Sequence, residues 1–290
     1  MHPSRRHTQF LKTAAFLRRW IDEAMRIRRV FAGTFLCFAM MAPVMAQTQR
    51  VLLVVTAHPD DELFMGPVLA RYAREHVKVY LAISTQGEKG VRDHAGIAAG
   101  EPLVAARREE ATCSCKQLGI EAPIFFNLKD GELGAMTAKN VQAVADNVEQ
   151  QIKKINPDAI VTWGPEGGYG HPDHRLVSDA VTQVVQARKS NIKLFYVGLT
   201  TTQASMINDN DSGPWHRIRL WYSTDPAYLS VRVMFTKTDL AAFRKALECH
   251  KSQFTPEEMQ KVEKVLGKAW GNGVSFRPWR GEKRSDSLFK

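Results

Sequence analysis

The uninterrupted apolar run Val51-Leu52-Leu53-Val54-Val55 leads directly into Thr56-Ala57-His58-Pro59-Asp60-Asp61-Glu62, and no other stretch constrains this chain as much. Five aliphatic residues in a row predict a strand buried on both faces, the habit of parallel sheets covered by helices, so the polar cluster falls at the strand's C-terminal end. His58 and Asp61 are metal-ligand types that a tight turn can bend toward one point, which leaves Asp60 on a neighbouring side as a spare base. The same residues would also serve as a helix N-cap beside a buried histidine.

A second cluster, Gly167-Gly168-Tyr169-Gly170-His171-Pro172-Asp173-His174, follows the apolar run Ala159-Ile160-Val161-Thr162-Trp163. Both clusters have the same order: strand, turn with glycine or proline, His and Asp, helix. If they meet in space, one metal centre is built from two strand ends.

The rest of the pattern alternates in the same way. Strands are expected over 51–58, 77–83, 123–127, 159–163 and 193–199, and helices over 64–75, 103–118, 137–155 and 173–188. In the first helix Leu63, Val68, Leu69 and Tyr72 share the inner face. This is an α/β chain, a Rossmann-like, doubly wound, mostly parallel sheet. In the strand order 3-2-1-4-5, strands one and four flank the switch point where ligands bind beyond the carboxyl ends, and both clusters sit there.

The loop 84–101 carries Gly87, Gly90, Gly96 and Gly100 and reads as a lid. Beyond about residue 200 the pattern is irregular, with a polar loop over 206–215, antiparallel edge strands over 217–222 and 229–235, a helix over 238–250, and a charged, frayed tail from Gly281. Trp215, Trp221, Tyr222 and Tyr228 are candidates to wall a sugar site or simply to fill core.

Residues 1–46 read as a leader. Met25-Arg26-Ile27-Arg28-Arg29 is basic, Val30 to Met41 apolar, and Val44-Met45-Ala46 a cleavage site, which predicts a signal peptide beginning at Met25 and cut near Ala46. The 24 residues before Met25 fit no such pattern and are expected to reflect an upstream start codon. The expected location is periplasmic or secreted, with residues 47–290 as a single domain. The apolar run is shorter than the ~20 residues of a spanning helix, so no stable membrane span is expected in the mature chain.

Of the 40 Lys and Arg, eight lie in residues 1–46, against two of the 30 Asp and Glu, so the remainder carries only about +4. Without a basic stripe a nucleic-acid partner is excluded. The first strand-to-helix turn reads AHPDDE where a dinucleotide site would need glycines, which excludes a nucleotide cofactor. Cys113, Cys115 and Cys249 are an odd count beyond the leader and are expected to be packing residues, with a pairing of Cys249 left open.

Ala57-His58-Pro59-Asp60-Asp61-Glu62 with His171-Pro172-Asp173-His174 resembles the LmbE-like, or PIG-L, family of metal-dependent N-deacetylases. Weaker marks are Gly87-Glu88-Lys89-Gly90, Arg107 with Glu110, Asp130-Gly131 and Ala246-Leu247-x-x-His250-x-Ser252-Gln253. The resemblance implies a hydrolase that removes an acetyl group from a GlcNAc-type amino sugar, small molecule or oligosaccharide. It implies His58, Asp61 and His174 as ligands of Zn2+, with Fe2+ as the alternative that two histidines and a carboxylate also suit.

Asp60 is then the general base, His171 an imidazolium that stabilises the oxyanion with its tautomer held by Asp173, and Tyr169 a mobile group that polarises the carbonyl. Arg107 either contacts substrate or pairs with Glu110 on a helix surface. Among the family's substrates, the expected export favours a cell-envelope or extracellular glycan over a cytosolic thiol precursor. A metal-dependent esterase or phosphoesterase and a non-catalytic carbohydrate-binding protein are the alternatives.

Overall fold

The computed structural model describes residues 49–290 except 136, 189–190, 211–219 and 282, together with residues 19, 20, 23, 25 and 26. Those five are helical, and the rest of the expected signal peptide lies outside the described residues. Among the described residues no helix is long and apolar enough to cross a membrane.

From Gln49 the chain alternates β1 (Val51–Thr56), a 3-10 turn (Asp61–Met65), α1 (Gly66–Arg74), β2 (Lys78–Thr85), α2 (Glu101–Leu118), β3 (Ile124–Leu128), α3 (Ala138–Ile155), β4 (Ala159–Trp163), α4 (Pro172–Ala187) and β5 (Lys193–Gly198). There follow α5 (Thr201–Asn210), β6 (Val231–Met234), α6 (Lys237–Leu247), α7 (Pro256–Trp270) and β7 (Gly273–Pro278). The sheet has seven strands in the order β3-β2-β1-β4-β5-β7-β6. Strands β1 to β5 run parallel, while β7 pairs antiparallel with both β5 and β6.

Alternation along β1 explains the two-sided core. Leu52 and Val54 join the apolar cluster formed with α1, α2, α6 and α7, whereas Leu53 and Val55 join the one formed with α3 and α4. All four are 0% exposed, and full burial of such side chains contributes roughly 1.5–3 kcal/mol each. The strand is therefore fixed from both faces, and its polar C-terminal end is placed rigidly between β2 and β4.

The parallel half follows the pattern read from sequence, and the C-terminal third does not. Residues 201–210 form α5 where a loop was expected over 206–215; of the expected strand 217–222, the described residues 220–222 are not in a strand. The second edge strand shortens to β6 and finds its partner in β7, which was not foreseen. The tail is anchored rather than frayed, since Leu288 is 0% exposed and its N–H donates to the Tyr72 hydroxyl at 2.9 Å. Cys113 and Cys249 are joined as a disulfide, and only Cys115 is a free, buried packing residue among the described cysteines. Spacing within one helix could not reveal that pairing, because the partner comes from the end of α6.

Candidate active site

The two clusters meet. His58 leaves the end of β1 and His174 lies in the first turn of α4, beyond β4, the parallel neighbour of β1. His58 Nδ1 is 3.1 Å from His174 Nε2, and His174 Nε2 is 3.2 Å from Asp61 Oδ1. His58 Nδ1 is 3.8 Å from the other Asp61 oxygen. Ligand atoms arranged tetrahedrally about an ion at ~2.0–2.1 Å stand roughly 3.3–3.4 Å from one another, close to the two His174 spacings; among the described residues, the groups whose ligand atoms all lie within 4.8 Å of one another are His58, His171 and His174, and His58, Asp130 and Asp173.

The outer partners of each group decide which atom is left free. His58 Nε2 faces Asp130 Oδ1 at 3.2 Å and Asp173 Oδ2 at 3.3 Å, which fixes the proton on Nε2 and leaves Nδ1 as the donor atom. His174 Nδ1 donates to the Gly167 carbonyl at 3.1 Å and leaves Nε2. Asp61 Oδ2 accepts from the Ala57 and His58 amides and from Trp163 Nε1 at 3.0, 2.9 and 3.1 Å, which leaves Oδ1. These bonds leave His58 Nδ1, His174 Nε2 and Asp61 Oδ1 as the atoms not taken up by outer partners, with His174 Nε2 close to both of the others.

The electrostatics welcome positive charge there. Burial opposes ionisation of His58, yet Asp130, Asp173 and Asp61 raise its pKa to about 10. Burial would lift Asp61, but His174 and His58 hold it far below the usual carboxylate range. Asp130 is likewise drawn down to about 2 against its own burial, mainly by His58.

Asp60 stands apart from this set. Its Oδ2 accepts from Arg107 Nη2 at 2.9 Å, and its backbone lies at φ 118°, a region that side-chain-bearing residues rarely adopt. Burial raises its pKa, with Arg107 opposing. Arg107 is 3% exposed and sends its remaining bonds to the Pro59 and Gly87 carbonyls. It makes no surface pair with Glu110, whose carboxylate instead accepts from the Ser252 amide and hydroxyl. A Cβ on Gly87 would stand 2.4 Å from Arg107 Nη1, so this glycine leaves room for the guanidinium. The 84–101 loop is a wall packed on Arg107 and on Asp130, where the Glu88 carboxylate accepts the Asp130 amide at 3.0 Å.

His171 caps α4, its Nδ1 accepting the Asp173 amide at 3.2 Å. Asp173 thus holds the His171 tautomer through its amide, while its carboxylate accepts from the Gly131 and Gly134 amides and faces His58. Burial and the charges of His58 and His174 lower the His171 pKa to about 4, and with Nδ1 accepting the Asp173 amide a proton on the neutral ring sits on Nε2. The Tyr169 ring centroid lies 5.8 Å from that of His171 and 5.2 Å from that of Trp221, between Gly168 at φ +67° and Gly170 at φ +88°. Of the aromatics read as a sugar wall, Trp221 stacks on Phe64 and lines the inside, Tyr222 and Tyr228 are exposed, and Trp215 is outside the described residues. Asp130 and Asp173 hold His58, and Trp163 holds Asp61, contacts that sequence reasoning missed.

Residues 53–185 match the PIG-L family, described as GlcNAc-PI de-N-acetylase. The 1D-myo-inositol 2-acetamido-2-deoxy-alpha-D-glucopyranoside deacetylase of Rhodococcus jostii (strain RHA1) is 30% identical over 245 residues, covering 72% of this chain and 83% of that protein. The protein of that name from Rhodococcus opacus (strain B4) is 35% identical over 159 residues, 48% of this chain and 54% of its own length. The chain thus spans little more than half the length of several curated relatives it matches.

Among solved structures, the N,N'-diacetylchitobiose deacetylase of Pyrococcus horikoshii superposes with a TM-score of 0.56 at 21% identity, covering 80% of this chain and 84% of that one. The 4-carboxy-2-hydroxymuconate hydratase GalB of Pseudomonas putida KT2440 does so with a TM-score of 0.57 at 14% identity, covering 81% and 98%. At these identities the likeness establishes the fold.

The relatives correct one expectation. They are named as deacetylases of an inositol-linked amino sugar, not of the envelope or extracellular glycan that export had favoured. A periplasmic or secreted location is therefore withdrawn. With one relative matched over most of its length, and with both His and Asp clusters inside the matched segment, the chain belongs to the PIG-L, or LmbE-like, family.

Proposed function

We propose that this chain is a metal-dependent hydrolase that removes the N-acetyl group from a GlcNAc-type amino sugar, such as an inositol-linked glucosaminide. The observation that carries it is the approach of His174 Nε2 to both His58 Nδ1 and Asp61 Oδ1, with Asp60 beside them and uninvolved in their bonds. Two histidines and one carboxylate suit Zn2+, and Fe2+ as well. Such an ion would supply Lewis acidity toward the acetamide carbonyl and lower the pKa of water.

The chain's own residues do the rest. Asp60 takes the proton from the attacking water, with one oxygen held by Arg107 so that the other is aimed. His171 carries its proton on Nε2 and donates to the developing oxyanion. Tyr169, between two left-handed glycines, can add a hydroxyl donor to the same charge. The identity of the relatives supports the amino-sugar substrate.

The test is acetate release from N-acetylglucosaminyl-inositol and N-acetylated chitooligomers, run beside matched ester and phosphate-ester substrates on metal-reconstituted protein. Amide hydrolysis well above ester and phosphate hydrolysis is expected. Preference for an ester or phosphate would replace the deacetylase with the alternative hydrolase.

A further inference from the structure

Asp60 sits at φ 118° and ψ −15°, and something must hold a non-glycine residue there. The Glu62 carboxylate does so from beneath the turn: Glu62 Oε2 accepts the Asp60 amide at 3.1 Å. Its other oxygen accepts the Ser114 hydroxyl at 2.6 Å and faces His250 Nε2 at 2.8 Å. Glu62, Ser114 and His250 are all 0% exposed. Their hydrogen bonds run to Asp60 and to one another, not to His58, Asp61 or His174. His250 Nδ1 has no partner among the described residues, so Glu62 alone fixes the ring.

A buried Glu–His pair is an expensive way to fill space, because apolar side chains of similar volume stabilise a core as well or better. Ala111 and Leu118 of α2 and Phe243 and Ala246 of α6 already belong to such a core. The network also bridges separate elements. Ser114 follows Cys113 on α2, His250 follows Cys249 after α6, and those two cysteines are bonded with Cα atoms 5.8 Å apart. The covalent link therefore sets the spacing of the two groups that grip Glu62.

We infer that Glu62, Ser114 and His250, spaced by the Cys113–Cys249 disulfide, form a buried positioning network that holds the Asp60 turn in its reactive geometry. The inference rests on the reading of Asp60 as the base. These are positioning residues that act through Asp60 and touch no substrate.

The experiment is a double-mutant cycle on the metal-loaded enzyme. Glu62→Gln is expected to lower kcat about 10–100-fold, the usual scale for residues supporting a metal site, with KM and metal content near wild type. In the Asp60→Asn background it should cost nothing further, since the group it positions is gone. His250→Gln, which keeps a donor, should retain more kcat than His250→Ala. If Glu62→Gln does not fold, Ser114→Ala removes a single bond and carries the same cycle. A full kcat in Glu62→Gln, or a loss that multiplies with that of Asp60→Asn, overturns the network while leaving the base in place. A wild-type kcat in Asp60→Asn overturns the base reading itself, and the network with it.

Discussion

Arg107 Nη2 lies 2.9 Å from Asp60 Oδ2 while the same guanidinium bonds the Pro59 and Gly87 carbonyls, so one buried arginine fixes both the side chain and the backbone of the turn. A lysine ammonium cannot reproduce this planar fork. Arg107→Lys is expected to keep its metal and lose on the order of 10–100-fold in kcat, with a lowered Tm. Steady-state kinetics and metal analysis on the same preparation check it; a variant altered in KM alone would assign Arg107 to substrate.

Chelation should abolish activity and Zn2+ or Fe2+ restore it, at about one ion per chain. Replacing His58, Asp61 or His174 with Ala should empty the site, because each supplies one of the three candidate ligand atoms. Full occupancy in all three variants, measured by elemental analysis, would refute the ligand set.

Adjacent carboxylates should behave differently. Asp60→Asn is expected to retain the ion and lose on the order of 10²–10⁴ in kcat, the contribution typical of a general base. Asp61→Asn should instead weaken metal affinity, since Asp61 Oδ1 faces His174. Equal metal loss in both would invert the two assignments.

Metal-free protein should lose stability in alkali. His58 is raised to about 10 in the folded state against about 6.5 unfolded, so its contribution is complete below about pH 6.5 and is lost as pH rises through about 10. A bound ion replaces that proton and removes this term. Thermal melts at pH 7 and pH 10 should therefore diverge more for chelated than for metal-loaded protein, and equal divergence would count against the assignment.

The disulfide spans 136 residues of chain. Cys113→Ser is expected to cost about 2–4 kcal/mol of stability, the usual effect of removing such a link. Urea unfolding of the variant, and of the wild type with and without reductant, measures it. An unchanged midpoint in both would show that packing alone joins α2 to α6.

What sequence revealed followed from how local each signal was. The strand Val51–Thr56, its polar end and the meeting of His58 with His174 were legible because unbroken apolar runs and right-handed crossovers leave few topologies. The α7 helix has a local signal as well, since Thr255 with Glu258 forms a capping box ahead of an apolar face. The β7 partnership, the Cys113–Cys249 pair and the placement of the Asp173 carboxylate on His58 were not legible. Each depends on contacts between distant segments, and a carboxylate in sequence does not declare which of two nearby imidazoles it will face.

The strand order also imposes a timetable. Strand β7 lies between β5 and β6, although it is made after both. While the chain is being synthesised, the parallel half can assemble as soon as β5 appears, yet one rim of β5 then stays bare until residues 273–278 arrive to fill it. A bare rim is a template for strands of other molecules. The interval between β5 and β7 is thus the moment at which this chain is most exposed to aggregation, and a holding chaperone or slower growth at low temperature should improve its yield more than any change to the finished surface.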